Sequence, residues 1–315
     1  MDPGALTTDR VARHGRNPLS YCLNYHPAWQ WANEAVPYLE AHGTAIVWAD
    51  PLCPPGEVDA VLGAATEVLR GRGLRMCLLV VERATALAAD RLGYGVLKIG
   101  EQPAFDLTRW QVPRGDPGKH LRWCLNKARR AGVEALPFAA EDLGEAHAAI
   151  SAWEAALGRA PSTSFLRTAP FERFDEKRLF VARCDGRVEA LVACTPVPSA
   201  DGWFVEDMIH RPDAPVGASE ALVIATLQHL AADGARRAWL DVAPLRRVDD
   251  QLQRRSRLVF AAARPAIGVF GRRYPLRALA RYLAKFEPTA WEHRYVAFSP
   301  SVPTPRMVRA LIEAL

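Results

Sequence analysis

The sequence lacks features that would place it among membrane, secreted or zinc proteins. It contains no run of about 18 apolar residues, so no transmembrane helix is expected. Its first twenty residues have no apolar core and no small-residue cleavage site, which argues against a secretory signal. The six cysteines form no C-x-x-C motif and no zinc-type spacing with histidine. We therefore expect a cytoplasmic protein with reduced cysteines, no metal and no disulfide framework.

Lysine is also scarce, since only five of the 40 basic residues are lysine and 35 are arginine. The bases are concentrated in the segment 246–285, which has eleven Arg or Lys residues and only two acids. This excess is larger than the net charge of +5 for the whole chain. Focused positive charge attracts polyanions, so a nucleic acid, phospholipid or phosphorylated ligand is predicted. The alternative is an ordinary solvated surface in an arginine-rich protein.

The candidate nucleic-acid contacts belong to this segment and to an upstream basic helix. They are Arg246, Arg247, Arg254, Arg255, Arg257, Arg272, Arg273, Arg277 and Arg281, with Lys127 and Arg130 on the helix.

Half of the 315 residues are hydrophobic, as in a soluble globular protein of one large or two ordinary domains. Two α/β blocks follow one another; the first begins with an apolar strand at Thr44–Trp48, and the second includes a helix at Gly217–Ala232. The second has a helix, three strands with an Asp185-Gly186 hairpin turn, a helix, a strand, a helix and a late strand. This order is that of the N-acetyltransferase-like (GNAT) fold, and the first block is a degenerate version of it. We expect an α/β protein of tandem GNAT-like units with mixed, largely antiparallel sheets.

The expected division of the chain has three parts. Residues 1–20 are expected to be a flexible tail, 21–115 an N-terminal degenerate GNAT-like unit, and 116–315 a C-terminal GNAT-like catalytic unit.

A GNAT acetyltransferase binds the coenzyme A pyrophosphate with R-x-x-G-x-G/A at a helix N-terminus. At that place the chain reads HRPDAPVGASEAL (210–222), in which only Gly217-Ala218 remains of the motif. Pro212 and Pro215 remove N–H donors and Asp213 adds a negative charge. The motif therefore argues against acetyl-CoA and for another acyl donor on the same fold.

Five spaced runs carry a resemblance to a known family. They are KIGEQPAFDL (98–107), HLRWCLNKARRAGV (120–133), EDMIHRPDAPVGASEAL (206–222), WLDVAPL (239–245) and RYLAKFEPTAWEHRYVAF (281–298). In this order they resemble the catalytic region of the lysyl/alanyl-phosphatidylglycerol synthases, the multiple peptide resistance factors, from about Ile46 onward. The resemblance implies tandem GNAT-like units, an aminoacyl-tRNA co-substrate and no other cofactor. It also implies that Glu101 matches an acid that helps to bind the aminoacyl group.

The chain departs from the family in three ways. We expect no membrane-embedded flippase domain, because no segment of this sequence resembles one. The family's D-L-M-R appears as Asp207-Met208-Ile209-His210, so that His210 replaces the arginine and Arg211 follows it. The usual Y-N-F-Q-G-L reads YPLRAL (274–279). These changes are compatible with aminoacyl-tRNA as the donor, but they leave open which molecule accepts the aminoacyl group. We place His210 and Arg211 among the expected substrate-binding residues.

Transfer from an aminoacyl ester needs a carboxylate for the α-ammonium and a cation or N–H for developing negative charge. Asp207 is the expected carboxylate, because it falls in an otherwise apolar strand row with Trp203, Val205 and Ile209; a core ion pair is the alternative. Glu206 should then face solvent, and we count it among the substrate-binding candidates. Lys285 is the expected cation, because lysine is scarce and this one begins KFEPTAW (285–291), which resembles the family's K-F-x-P-x-W motif with one more residue before Trp291. Asp241, at a strand end, is a further substrate-binding candidate.

We therefore expect an aminoacyl-tRNA-dependent aminoacyltransferase, with Asp207 and Lys285 at opposite ends of one site. The acceptor is either a phosphatidylglycerol-type lipid, with peripheral membrane contact, or a soluble molecule of a natural-product pathway. The alternatives are an acetyl-CoA-dependent N-acetyltransferase and a non-catalytic RNA-binding module.

Overall fold

The computed structural model of the chain describes residues 3–25, 29–116, 118–157, 168–248, 261 and 276–314. Its helices are α1 Pro3–His14, α2 Val58–Gly71, α3 Arg83–Arg91, α4 Lys119–Arg130, α5 Leu143–Leu157, α6 Ala218–Ala232, α7 Leu276–Ala284 and α8 Pro305–Ala314. Short 3₁₀ helices span Pro18–Tyr25, Pro55–Glu57, Ala140–Asp142, Phe174–Glu176 and Pro198–Ala200. The strands are β1 Gln30–Trp31, β2 Pro37–Ala41, β3 Thr44–Trp48, β4 Arg75–Val81, β5 Gly95–Asp106, β6 Glu134–Pro137, β7 Arg178–Cys184, β8 Arg187–Val197, β9 Gly202–His210, β10 Arg237–Trp239, β11 Ala243–Pro244 and β12 Ala290–Ser299.

The strands form one mixed sheet in the order β1-β2-β3-β4-β12-β5-β10-β9-β8-β7-β6, and β11 also pairs with β5. The parallel pairs are β3 with β4 and β9 with β10, each joined by one crossover helix, α2 or α6. The remaining pairs are antiparallel. Antiparallel strands, a crossover helix and a parallel strand therefore occur twice. The protein is an α/β protein built of tandem GNAT-like units, as predicted.

The two units exchange their last strands. Strand β12, from the C-terminal end of the chain, lies between β4 and β5 of the first unit. Strand β5 in turn pairs with β10 of the second unit. The sheet is therefore continuous across the expected boundary at 115/116, and the late strand of the C-terminal part of the chain pairs with two strands of the N-terminal part.

The N-terminal residues form structure where a flexible tail was predicted, so that part of the prediction is wrong. Residues 3–14 form α1, and Pro18–Tyr25 follows as a 3₁₀ helix. Leu19 and Leu23 are buried in the same hydrophobic cluster as Phe204 of β9. The physical reason is hydrophobic burial, because this short amphipathic segment covers apolar side chains of the sheet.

The second unit buries both faces of its strands. Phe180, Val192 and Val205 pack with α6, whereas Val181, Leu191 and Ile209 pack with Ala149 of α5. Successive residues of a strand point to opposite faces, which explains the alternation.

Strands β9 and β10 pair only over 202–204 and 237–239. After Trp239 the chain follows β5 instead, since the Leu240 N–H donates to the Pro103 carbonyl oxygen. Residues 205–210 of β9 therefore extend beyond their pairing with β10, and this separation of the strands positions the candidate site.

Candidate active site

A β-bulge in β9 sets the direction of the predicted carboxylates. The pairing of β8 with β9 shifts between Leu191/Ile209 and Ala193/Glu206, so β9 contains one extra residue there. Asp207 in the bulge has a φ of +49°, a left-handed conformation that is costly for a residue other than glycine. Successive side chains of β9 therefore do not alternate between the two faces of the sheet at this point. Strained conformations of this kind occur preferentially at functional sites.

Glu206 is buried, and its expected exposure to solvent is wrong. It is only 8% exposed. Its Oε1 accepts a hydrogen bond of 2.6 Å from the Tyr25 hydroxyl and lies 3.1 Å from the Lys177 ammonium. Lys177 also donates to the Ala169 carbonyl oxygen at 2.7 Å and lies 4.7 Å from the centre of the Tyr25 ring.

Asp207 lies beside Glu206 rather than in the apolar row that the sequence suggested. Its Oδ2 accepts a hydrogen bond of 3.1 Å from the Ala169 N–H. Burial raises the pKa of Asp207 well above its usual value, and the negative charge of Glu206 raises it further, whereas Lys177 opposes the shift. The bulge explains this placement, because it brings two successive side chains into the same electrostatic environment.

Asp241 completes a group of three carboxylates. Burial raises the pKa of Asp241 to about 6. A hydrogen bond from the Val242 N–H opposes this shift, and the negative charge of Glu206 adds to it. We call Glu206, Asp207, Asp241 and Lys177 the carboxylate cluster. Its three acids face one lysine, so a bound cation would relieve repulsion and burial together. Such a site suits an ammonium group.

The pKa of Asp241 leads to a testable change in stability. A carboxyl group whose pKa is raised on folding stabilises the fold fully below its unfolded pKa of about 3.9, and this contribution is lost as pH rises through about 6. Asp241→Asn should therefore stabilise the protein above pH 6, by roughly 2–3 kcal/mol at most. Thermal melts from pH 4 to 8 would measure it. A variant whose advantage does not grow with pH would contradict the assignment.

Lys285 lies in a second group of charged side chains, on the α6 side of the sheet. Its ammonium is 2.8 Å from Oε1 of Glu220 in the first turn of α6 and 5.2 Å from the centre of the Tyr282 ring. Within the described residues, no ion pair or hydrogen bond joins Lys285 to Asp207. The structure thus does not bring the two predicted poles into contact.

His210 and Met208 connect β9 with this second group. Both line a cavity of about 180 Å³, together with Ser219, Leu222 and Tyr282. Burial lowers the pKa of His210, and the charge of Glu220 opposes the shift. Residues 205–210 of β9, which pair with β8 but not with β10, therefore lie between the carboxylate cluster and the cavity beside Lys285.

Glu101 lies within β5, not after a strand, and is 2% exposed. Its carboxylate is 2.9 Å from both Lys98 and Arg246, and 3.5 Å from His293. Arg246, expected to contact tRNA, also stacks on Trp291 with its guanidinium carbon 3.9 Å from the ring centre. Arg246 therefore neutralises the buried carboxylate of Glu101.

Arg211 holds the end of β9 to its neighbours. It donates to the Val188 carbonyl oxygen at 2.7 Å and to Glu145 of α5 at 2.9 Å. These contacts give it a structural role, in addition to the substrate-binding role predicted from its place in the sequence.

Two helices carry exposed bases of the predicted nucleic-acid set. Lys127 and Arg130 are exposed on α4, which has no acidic residue, and Arg277 and Arg281 are exposed on α7. Trp123 of α4 is also 48% exposed. Arg247 is also exposed. Five further predicted bases lie outside the described residues, namely Arg254, Arg255, Arg257, Arg272 and Arg273.

The N-terminus of α6 is occupied by protein groups where a GNAT acetyltransferase binds pyrophosphate. Gly217 has a φ of +92°, and a Cβ there would clash with the carbonyl oxygen of Cys124 in α4. The carboxylate of Glu220, in the first turn, would repel a pyrophosphate. The structure thus agrees with the sequence argument against acetyl-CoA.

Sequence reasoning missed Lys177 and Tyr25. Lys177 is one of only five lysines, so the scarcity that singled out Lys285 applied equally to it. Tyr25 lies just beyond the expected tail, and nothing in its local sequence indicates a partner 181 residues away.

The fold and the carboxylate cluster together define a tandem GNAT-like protein with three neighbouring acids and one lysine at the candidate site. The family described as "Phosphatidylglycerol lysyltransferase, C-terminal" matches residues 11–298, and the chain belongs to this family. It is therefore an enzyme of a transferase family.

Two solved structures share the fold over nearly the whole length. One is a C-terminal domain assigned to a lysylphosphatidylglycerol synthetase from Agrobacterium fabrum, with 20% identity, a TM-score of 0.79 and coverage of 99% of this chain and 95% of that one. The other is L-PGS from Bacillus licheniformis, with 18% identity, a TM-score of 0.78 and coverage of 99% and 96%. No curated protein sequence matches this chain.

Proposed function

We propose that the chain is an aminoacyl-tRNA-dependent aminoacyltransferase, which transfers an aminoacyl group to a hydroxyl of phosphatidylglycerol or a related lipid. Lysyl, the group in the family's name, is the proposed aminoacyl group. The carboxylate cluster carries this proposal, because the buried Glu206 and the half-buried Asp207 and Asp241 lie together with one lysine and form a site for a cationic substrate.

The proposed roles follow from what each acid already contacts. Glu206 is paired with Lys177, whereas Asp207 and Asp241 each accept a backbone N–H and make no salt bridge within the described residues. Asp207 and Asp241 are therefore the proposed partners of the substrate ammonium. An ammonium placed between them would favour their charged forms.

The reaction needs no covalent intermediate with the protein. The acceptor hydroxyl oxygen attacks the ester carbonyl, the bond from that carbonyl to the terminal ribose oxygen breaks, and the acceptor proton passes to the ribose oxygen. Substrate orientation and stabilisation of the oxyanion then account for the catalysis. Backbone N–H groups along the unpaired part of β9, beyond its last pair with β10, are the proposed donors to the oxyanion.

Lys285 is proposed to interact with the negatively charged 3′ end of the tRNA. Its ammonium pairs with Glu220 in the first turn of α6, and Gly217 at the start of the same helix lies against Cys124 of α4. The exposed bases of α4 and α7 are therefore proposed to flank Lys285. Such an arrangement would guide a polyanion toward the cavity.

The membrane contact of this chain would be peripheral in this proposal. In the described part of the chain, no helix has the length and apolar character needed to cross a bilayer. A lipid acceptor would then have to be reached at the membrane surface.

The test is a transfer assay with purified protein and separately radiolabelled aminoacyl-tRNAs. One arm contains vesicles of phosphatidylglycerol, a second contains phosphatidylcholine vesicles, and a third contains soluble hydroxyl and amine acceptors. We expect label to enter phosphatidylglycerol only. Label in soluble acceptors alone would reject the lipid, and acetylation in a parallel acetyl-CoA arm without aminoacyl transfer would reject the donor.

A further inference from the structure

The 3₁₀ helix Pro18–Tyr25 forms a fixed wall over the carboxylate cluster. The Trp48 indole N–H donates to the Leu19 carbonyl oxygen at 3.0 Å, and the Trp29 indole N–H donates to the Leu23 carbonyl oxygen at 2.7 Å. Two buried indoles thus hold the backbone of this segment against the sheet. The side chain of Tyr25 is consequently presented from a rigid element rather than from a loose terminus.

Tyr25 contacts both members of the Glu206–Lys177 pair. Its hydroxyl donates to Oε1 of Glu206 at 2.6 Å, and the Lys177 ammonium lies 3.1 Å from the same oxygen. The face of its ring receives the same ammonium at 4.7 Å from the ring centre. One tyrosine therefore fixes the anion through its hydroxyl and the cation through its ring.

We infer that Tyr25 is a positioning residue of the aminoacyl site, which holds Glu206 and Lys177 as a neutral pair so that the substrate ammonium binds Asp207 and Asp241. This inference rests on the proposed function. Without the Tyr25 hydroxyl, Lys177 and Glu206 would be free to pair with the neighbouring acids and with the substrate. The site would then lose its fixed arrangement of charges.

The surroundings of Glu206 support this role. The titratable groups around Glu206 come from every neighbouring element. They are Cys22 and Tyr25 of the 3₁₀ helix, Lys177 just before β7, Cys194 of β8, Asp207 of β9, and Asp241 just after β10. Burial raises the pKa of Glu206, and Lys177 and the Tyr25 hydroxyl oppose this shift. Loss of the hydroxyl should therefore move the acidic limb of a pH–rate profile to higher pH.

Tyr21 offers a matched control on the same segment. Its hydroxyl donates to Glu176 at 2.5 Å, and its ring lies 5.5 Å from that of Tyr25. Tyr21→Phe and Tyr25→Phe each remove one tyrosine–glutamate hydrogen bond and retain the ring. They differ because only Tyr25→Phe removes a hydrogen bond to a residue of the carboxylate cluster.

The experiment compares both variants with the wild-type protein in the transfer assay and in calorimetric binding of L-lysinamide. We expect Tyr25→Phe to raise KM and the lysinamide Kd about tenfold, with a smaller change in kcat, and to shift the acidic limb upward. Tyr21→Phe should change each by less than about twofold while melting at a similar temperature.

The outcomes separate this inference from the proposed function. If wild-type protein transfers lysine or binds lysinamide while the two variants behave alike, the role of Tyr25 is overturned and the proposed function stands. If wild-type protein neither transfers an aminoacyl group nor binds lysinamide, both are overturned.

Discussion

Replacing Asp207 with asparagine should lower aminoacyl transfer by about a hundredfold and raise the melting temperature by an amount that grows as pH rises above about 4. Transfer falls because the ammonium loses a charged partner, whereas asparagine can still accept the hydrogen bond from the Ala169 N–H. Stability rises because burial and Glu206 raise the pKa of Asp207, so that its ionised form is unfavourable near neutral pH. Steady-state kinetics and thermal melts on the same preparation would measure both.

Asp233→Asn is the matched control for this substitution. Asp233 is an exposed acid that pairs with Arg178 at the surface, so the change should alter neither transfer nor stability appreciably. Loss of stability in Asp207→Asn would show that its carboxylate belongs to a structural ion pair. Unchanged transfer in a folded variant would remove Asp207 from the mechanism.

Charge reversal on α4 and α7 should weaken tRNA binding strongly. Lys127→Glu with Arg130→Glu, or Arg277→Glu with Arg281→Glu, would each remove two exposed bases of the predicted nucleic-acid set. Each removed phosphate contact should lower the slope of log K against log salt by about one, so each pair should lower it by about two. Filter binding of aminoacyl-tRNA across a salt series would measure the change, with an expected loss of affinity of at least about tenfold near 0.1 M salt.

The control reverses two exposed arginines on other helices. Arg70 of α2 and Arg309 of α8 pair with acids on their own helices, and their reversal adds the same negative charge elsewhere. If this control weakened binding as much as the α4 and α7 variants do, net charge rather than a defined tRNA path would govern the interaction.

Local patterns predicted much of the fold. The apolar run at 44–48 forms β3 as expected, because five consecutive buried residues suit a central strand. Asp185 and Gly186 have φ values of +51° and +78° and form the predicted hairpin turn between β7 and β8. The helix predicted over 217–232 corresponds to α6, Ala218–Ala232.

The exchange of strands between the units could not be read from local patterns. Strand β12 has an apolar segment that would suit any buried position, and its place between β4 and β5 depends on pairing with residues about 190 positions earlier. Periodicity specifies that a strand is buried, but it does not specify its neighbours.

The sequence pointed to the acids of the carboxylate cluster as candidates, but it did not predict how they are arranged. Asp207, Glu206 and Asp241 were recognised as candidates, yet one extra residue in β9 places the first two side by side, where opposite faces of the strand were expected. Lys177 and Tyr25 come from segments distant in sequence, and only the tertiary fold brings them to Glu206.

Binding of an aminoacyl analogue tests the ammonium site most directly. Calorimetry would compare L-lysinamide with Nα-acetyl-L-lysinamide, which lacks the α-ammonium, on wild-type protein and on Asp207→Asn. We predict that wild-type protein binds L-lysinamide at least about tenfold more tightly than the acetylated compound, and that Asp207→Asn abolishes this preference. Equal binding of the two compounds by wild-type protein, or an undiminished preference in Asp207→Asn, would contradict the assignment of the carboxylate cluster as the aminoacyl site.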